Sequence, residues 1–189
     1  TGLAVTTVRV SPACKLESAV SVGSTDAGER LSKAVAVSTT GFAAVGDRVE
    51  KAGARGYVAR LSASGQLIWS WLDDSLSPPL RDAVVNADGS LLIVGSAYAP
   101  GDKTKRLPRV LRLDATGKKT LDTIQDTFGD ATLTAVAARP AGGYAAVGTR
   151  IDGGKSRLWW TRLNEGGVVT RERSGALGIS PSGIHAAAP

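Results

Sequence analysis

Residues able to do acid–base, nucleophilic or metal chemistry are few in this sequence. His185 is its one histidine and Cys14 its one cysteine, which leaves little for a Ser-His-Asp relay and excludes an intrachain disulfide or a thiol-based metal site. Asp73 and Asp74 are adjacent, so on a strand their carboxylates would point to opposite faces instead of forming an acid–base pair. The segment DGGKS (152–156) lacks the spacing of a phosphate-binding loop and predicts a hairpin tip. We therefore expect no enzyme, no cofactor and no metal ion.

Tryptophan side chains offer a second kind of site. Trp159 and Trp160 are adjacent, whereas Trp69 and Trp71 are two residues apart and would share one face of a strand. Packing between sheets is the commoner role for such residues. The alternative is a carbohydrate-binding surface in which Trp159, Trp160 and Trp71 stack on sugar rings, and that surface would need polar groups around the rings.

One pattern is repeated three times along the chain. The phrases TGFAAVG (40–46), GSLLIVG (89–95) and GGYAAVG (142–148) end on glycines 49 and 53 residues apart. Each phrase is followed by an Arg-Leu pair, at 60–61, 112–113 and 162–163, and then by a turn glycine. A period of about 50 residues indicates structural repeats.

Each repeat contains four short apolar runs bounded by turn residues. In the first repeat, the predicted strands A to D cover 34–37, 42–46, 57–61 and 67–71. No window keeps a helical period long enough to predict a helix. Four antiparallel strands in a repeat of this length are typical of a propeller blade, so we predict an all-β protein with a β-propeller fold.

The two ends of the chain read as parts of one further blade. Residues 8–18 align with strands C and D of the first repeat, and residues 182–189 resemble a strand A. We therefore predict a single domain over 1–189 with three complete blades and one composite blade. The complete blades are 31–79, 80–131 and 132–175, and the composite blade combines 1–30 with 176–189. Two alternatives remain: two chains complete a ring together, or the chain is part of a longer propeller.

These repeats resemble a known type of blade. The segments GYVARLSASGQLIWSW, NADGSLLIVGSA and RVLRLDATGKKTLD are similar to bacterial β-propeller repeats of the delta-60 type and of related propeller-repeat families. The resemblance covers about residues 8–188 and implies a propeller that serves as a scaffold or binding surface. The chain departs from that pattern in having fewer blades and in writing Thr-Arg-Leu, at 161–163, where the pattern has Ala-Arg-Leu.

The basic residues concentrate in the segments between strands B and C. Antiparallel order places the B–C and D–A connections at one end of each blade. The three B–C segments carry ten basic residues and four acidic ones, a surplus equal to the net charge of +6. The basic residues are Arg48, Lys51, Arg55, Lys103, Lys105, Arg106, Arg109, Arg150, Lys155 and Arg157. The D–A connections carry Asp73, Asp74, Asp122, Asp126 and Asp130, so ion pairing within this end is the alternative to a free basic surface.

We expect a non-enzymatic scaffold that binds an acidic surface of another protein, as an inhibitor or an assembly component. The leading contacts are Lys103, Lys105, Arg106 and Arg109 in a predicted loop over 96–109, where Tyr98 and Pro100 add apolar contact. Nucleic acid is disfavoured because aromatic residues are not interleaved with the basic ones. No apolar run is long enough to span a membrane, and the absence of Met predicts a processed or trimmed chain, secreted or periplasmic if a signal segment was removed.

Overall fold

The structure is built from antiparallel β-sheets. The computed structural model describes residues 5–10, 16–22 and 28–175, with side chains described from residue 28 onward. Within these ranges the chain forms β-strands and two 3-10 turns and no α-helix, which confirms the prediction of an all-β protein. The chain divides into two compact units between Pro79 and Leu80.

The first unit contains a two-stranded and a four-stranded antiparallel sheet. Strands β1 (Val5–Val10) and β2 (Leu16–Val22) form the small sheet. The larger sheet has the order β3-β4-β5-β6, with strands Gly28–Ala36, Gly41–Glu50, Gly53–Ser62 and Leu67–Leu72 and a 3-10 turn at Ser38–Thr40. Each of the four strand cores predicted for the first repeat lies within one of these strands, apart from the last residue of the predicted strand A.

The second unit contains two four-stranded antiparallel sheets that pack against each other. The first has the strands β7 (Asp82–Val85), β8 (Leu91–Ala99), β9 (Asp102–Leu113) and β10 (Lys119–Ile124). After a 3-10 turn at Asp126–Phe128, the second has β11 (Ala131–Ala138), β12 (Tyr144–Asp152), β13 (Lys155–Leu163) and β14 (Val169–Gly175). Strand β11 packs on β7, β8 and β9, so the first strand of one repeat lies on the sheet of the preceding repeat.

The core of the second unit lies between its two sheets. It joins Leu92, Val94 and Val110 of one sheet to Leu133, Val136, Ala146 and Trp159 of the other. The Trp159 side chain is fully buried, its ring centre lies 5.2 Å from that of Phe128, and its Nε1 donates a hydrogen bond of 2.7 Å to Glu172 Oε2. Polar groups also cross this interface, since the backbone N–H of Val136 donates to the buried carboxylate of Asp82 at 2.9 Å.

The glycine that recurs in strand B accommodates the neighbouring strand. A Cβ atom at Gly46 or Gly148 would lie 1.9 Å from the carbonyl oxygen of Arg30 or Thr132, respectively. Both carbonyls belong to the adjacent strand of the same sheet, which has a register irregularity at that place. The close approach that requires glycine at the end of strand B therefore arises within one sheet.

The segments predicted as B–C loops are in fact extended hairpins. Strand β8 continues to Ala99 and β9 begins at Asp102, so the predicted loop over 96–109 is wrong. The same holds for β4–β5 and β12–β13, where two residues separate the strands. At the last of these tips, Gly153 and Gly154 have φ of 56° and 73°, the conformation that a tight two-residue turn requires. The basic side chains are therefore placed by strand geometry. The predictions for Cys14, His185 and the strand within 176–189 lie outside the described residues.

Candidate functional site

In the β4–β5 hairpin, the arginines are paired with carboxylates. Arg55 Nη2 donates to both carboxylate oxygens of Glu50, at 2.8 and 2.9 Å, and Nη1 donates to the carbonyl oxygen of Asp73 at 3.2 Å. Arg48 Nε lies 3.5 Å from the buried carboxylate of Glu29 and 3.8 Å from that of Glu50. These pairs neutralise most of the charge that the sequence assigned to this hairpin, and Lys51 at its tip is exposed and forms no ion pair with a described residue.

The β12–β13 hairpin shows the same pairing. Arg150 Nη1 lies 3.5 Å from Glu172 Oε1, and Arg157 Nε lies 3.2 Å from Asp152 Oδ2. Lys155 is exposed and forms no ion pair with any described residue. One lysine therefore supplies the unpaired charge of this hairpin.

In the β8–β9 hairpin, Arg109 is a structural residue. Its side chain is 5% exposed, and Nε and Nη2 each donate a hydrogen bond of 2.7 Å to the Asp122 carboxylate on β10. Burial by itself would raise the pKa of Asp122. The hydrogen bonds and the positive charge of Arg109 lower this pKa by more than burial raises it, so the net shift is downward. The prediction that Arg109 contacts a partner is corrected, because its guanidinium is buried and occupied within the sheet.

The remaining predicted contacts of this hairpin are unpaired. Lys103 is exposed, Lys105 and Arg106 are partly exposed, and none of the three forms an ion pair within the described part of the chain. Tyr98, opposite Arg106 on β8, is also partly exposed. Together with Asp102, these three basic residues leave a local charge of +2 over 102–106.

A turn centred on Asp102 fixes the tip that carries these lysines. Asp102 Oδ1 accepts hydrogen bonds from the Thr104 hydroxyl at 2.6 Å and from the Thr104 N–H at 2.8 Å. The register between β8 and β9 shifts beside this turn, between Tyr98 and Ala99, so Lys103 and Lys105 lie on a bulge. The hydrogen bond from the Thr104 hydroxyl is the main cause of the lowered pKa of Asp102.

Arg106 faces a cleft in the second unit. The cleft has a volume of about 390 Å³ and lies beside the tip of β8–β9, between that hairpin and the strands β11 and β12. Its lining consists of Arg81, Thr104, Arg106, Asp130, Ala131, Thr132, Thr134, Thr149 and Ile151. The sequence analysis did not identify Arg81 or the threonines as site residues. The available signal was that Thr132 and Thr134, two residues apart on a strand, share one face of the sheet.

Two aspartates of the D–A connections, which were expected to pair with the basic residues at this end of the blades, form hydrogen bonds to the β8–β9 hairpin. Asp122 holds Arg109, as described above. Asp130 Oδ1 accepts the backbone N–H of Arg106 at 3.1 Å, and the Asp130 carbonyl accepts the N–H of Ile151 at 2.8 Å. Asp130 thereby holds the hairpin β8–β9 beside β12, while the guanidinium of Arg106 is left unpaired among the described residues.

Two of the three tryptophans considered for a sugar-stacking surface are covered by neighbouring side chains. Trp159 is fully buried, which corrects its assignment as a sugar-stacking residue. The Arg162 guanidinium lies over the Trp160 ring, 5.4 Å from its centre, and covers that face. Trp71 is partly exposed and lies in the other unit, opposite Val58.

No protein-family model and no curated protein matches this sequence. Over residues 28–175, no group of three or more His, Cys, Asp and Glu side chains is placed to hold a metal ion. Within the described ranges, no helix is long and apolar enough to cross a membrane.

Proposed function

We propose that the chain is a non-enzymatic β-propeller that binds an acidic surface of another protein through the tip of its β8–β9 hairpin. The three four-stranded sheets and their repeat of about 50 residues support the propeller. The two-stranded sheet and the final residues would supply its fourth, composite blade.

The observation that carries the binding proposal is the contrast between paired and unpaired cations. Five of the arginines in the three hairpins have carboxylate partners, namely Arg48, Arg55, Arg109, Arg150 and Arg157. Lys103, Lys105 and Arg106 have none within the described residues, and they lie within four positions of one another. An unpaired basic cluster on a hairpin held by Asp102 and Asp130 presents its charge in a defined geometry.

Charge at such a tip would act on the rate and the specificity of association. Complementary charges steer an acidic partner toward the hairpin and disfavour basic proteins, and salt screens this attraction over about 8 Å at physiological ionic strength. Tyr98 offers an aromatic contact beside the charges once the partner is seated.

The test is affinity capture from an extract of the native source, followed by mass spectrometry. One bait is the unaltered protein, and a second carries Lys103→Glu with Lys105→Glu. The matched control carries Lys51→Glu with Lys155→Glu, which reverses the same charge at the tips of the other two hairpins, where both lysines are exposed and form no ion pair with a described residue. We expect one protein to be retained by the unaltered and control baits and lost at least about tenfold from the second. Retention of the same proteins by all three baits would refute the proposal.

A further inference from the structure

The cleft beside Arg106 is lined by hydrogen-bond donors that lie outside the β8–β9 hairpin as well as within it. Arg81, directly before β7, and Arg106, on β9, both line it, and neither forms an ion pair with a described residue. Arg81 is held in place by its backbone, because its N–H donates to the Val94 carbonyl oxygen at 2.9 Å. Two arginines of the same sheet region, one on β9 and one directly before β7, therefore line one cleft.

Hydroxyl groups of β11 and β12 also line the cleft. Thr132 on β11 and Thr149 on β12 are directly paired in the sheet, so their side chains lie on one face. Neither hydroxyl has a hydrogen-bond partner among the described residues. Thr134 and Thr104 are different, because their hydroxyls already donate to the Val147 carbonyl at 3.1 Å and to Asp102 at 2.6 Å. Thr132 and Thr149 thus remain available as donors to a ligand.

The charge of the cleft favours a ligand with one negative charge. Its two arginines and one aspartate, Asp130, give a net charge of +1. A carboxylate satisfies this charge and accepts hydrogen bonds from guanidinium and hydroxyl groups at once. A phosphate carries nearly two charges and would meet repulsion from Asp130.

We propose that this cleft binds a carboxylate side chain of an acidic polypeptide, with Arg81 and Arg106 as its ionic partners and Thr132 and Thr149 as hydroxyl donors. This proposal rests on the proposed function and specifies where the acidic partner inserts. The volume of about 390 Å³ falls within the range of clefts that take a small-molecule ligand, which is enough room for one carboxylate side chain.

The test is an NMR titration of the whole protein with a blocked hexaglutamate peptide. The amide signals of Thr132 and Thr149 and the Nε–H signals of Arg81 and Arg106 report on the cleft. We expect saturable shifts of these four signals, and none with hexaglutamine. Arg106→Gln and Arg81→Gln should each raise the Kd about tenfold, the loss of one charge-assisted hydrogen-bonded contact. Thr132→Val, which keeps the branched side chain that suits a strand, should raise it about threefold.

Two further arms separate failure of the cleft from failure of the proposed function. Lys103→Gln with Lys105→Gln should weaken binding while the shifts at Thr132 and Thr149 persist at saturation. Shifts confined to the residues around Lys103 and Lys105 would overturn the cleft and leave the hairpin surface standing, whereas no shift at any residue would overturn both. Inorganic phosphate that displaces hexaglutamate at equal or lower concentration would overturn the assignment to a carboxylate.

Discussion

The hairpins β4–β5 and β8–β9 occupy the same place in two repeats and differ in what happens to their charge. In β4–β5, Glu29 and Glu50 contact Arg48 and Arg55. In β8–β9, a single arginine is buried in an ion pair, and the lysines are carried outward on a bulge. Similar basic composition therefore produces a nearly neutral hairpin in one sheet and a positively charged tip in another.

The difference indicates that the exposed charge of a hairpin depends more on whether its basic residues are arginines or lysines than on how many basic residues it has. The five paired residues are arginines, whose guanidinium groups match carboxylates geometrically and reach partners on adjacent strands. The lysines at the tips, Lys103 and Lys155, are exposed and form no ion pair with a described residue. In these hairpins, five arginines are paired within the sheets, whereas Arg106 and the lysines supply the charge that is unpaired among the described residues.

The largest effect on stability should come from replacing Arg109, the buried arginine of the β8–β9 hairpin. Arg109→Leu leaves the Asp122 carboxylate without its main partner, so the free energy of unfolding should fall by about 2–4 kcal/mol. Urea unfolding of the variant measures this loss. Arg106→Gln on the same strand is the control and should change stability by less than about 0.5 kcal/mol. Equal losses would mean that the paired and unpaired arginines do not differ in role.

The same pair predicts a dependence on pH. The folded-state pKa of Asp122 lies below its ordinary value of 3.8, so the folded state binds this proton less tightly than the unfolded chain. The stabilisation is fully present above about pH 5 and is lost as the pH falls through the lowered pKa. We expect the stability difference between the unaltered protein and Arg109→Leu to shrink between about pH 5 and pH 2. A difference that stays constant over this range would contradict the pairing.

The strands could be predicted from the sequence because their signals are local. Runs of Val, Ala and Leu between glycine turns placed four strands in each repeat, and the structure has them. The length of the hairpins was not evident, because the polar residues after Gly46 read as a loop although they continue β4 to Glu50. A solvated strand end lacks the apolar alternation on which such a prediction depends.

The candidate site was only partly predictable because its contacts are not local. The sequence located Lys103, Lys105 and Arg106, but it did not indicate that Arg109 is buried by Asp122 from β10. Thr132 and Thr149 meet through the register of β11 and β12, and Arg81 reaches the cleft through the packing of two sheets. Register and packing follow from the whole fold rather than from the spacing of residues.

A smaller effect is expected when the β4–β5 hairpin is given unpaired positive charge like that of β8–β9. Glu50→Gln removes the carboxylate that accepts two hydrogen bonds from Arg55, so the hairpin gains exposed positive charge. Affinity for hexaglutamate should rise about twofold, with a loss of stability below about 1 kcal/mol because the pair is partly exposed. Fluorescence anisotropy measures the first change and thermal unfolding the second. An unchanged affinity would show that pairing does not limit the charge of this hairpin.

The smallest expected effect is on stability at the exposed tip. Lys103→Gln should alter the free energy of unfolding by less than about 0.5 kcal/mol, since this side chain is exposed and forms no ion pair with a described residue. Chemical denaturation tests it beside the Arg109→Leu variant. A loss of unfolding free energy as large as that of Arg109→Leu would show that Lys103 stabilises the fold, in contradiction to its exposed, unpaired position.

The most direct test compares equal charge losses at the two hairpins. Anisotropy of a fluorescent hexaglutamate peptide would be measured with Lys103→Gln plus Lys105→Gln and with Lys51→Gln plus Arg48→Gln, each of which removes two positive charges. We predict that the first pair raises the Kd at least about tenfold and that the second raises it less than about twofold. Equal increases would show that the peptide responds to net charge alone and would contradict a binding surface on β8–β9.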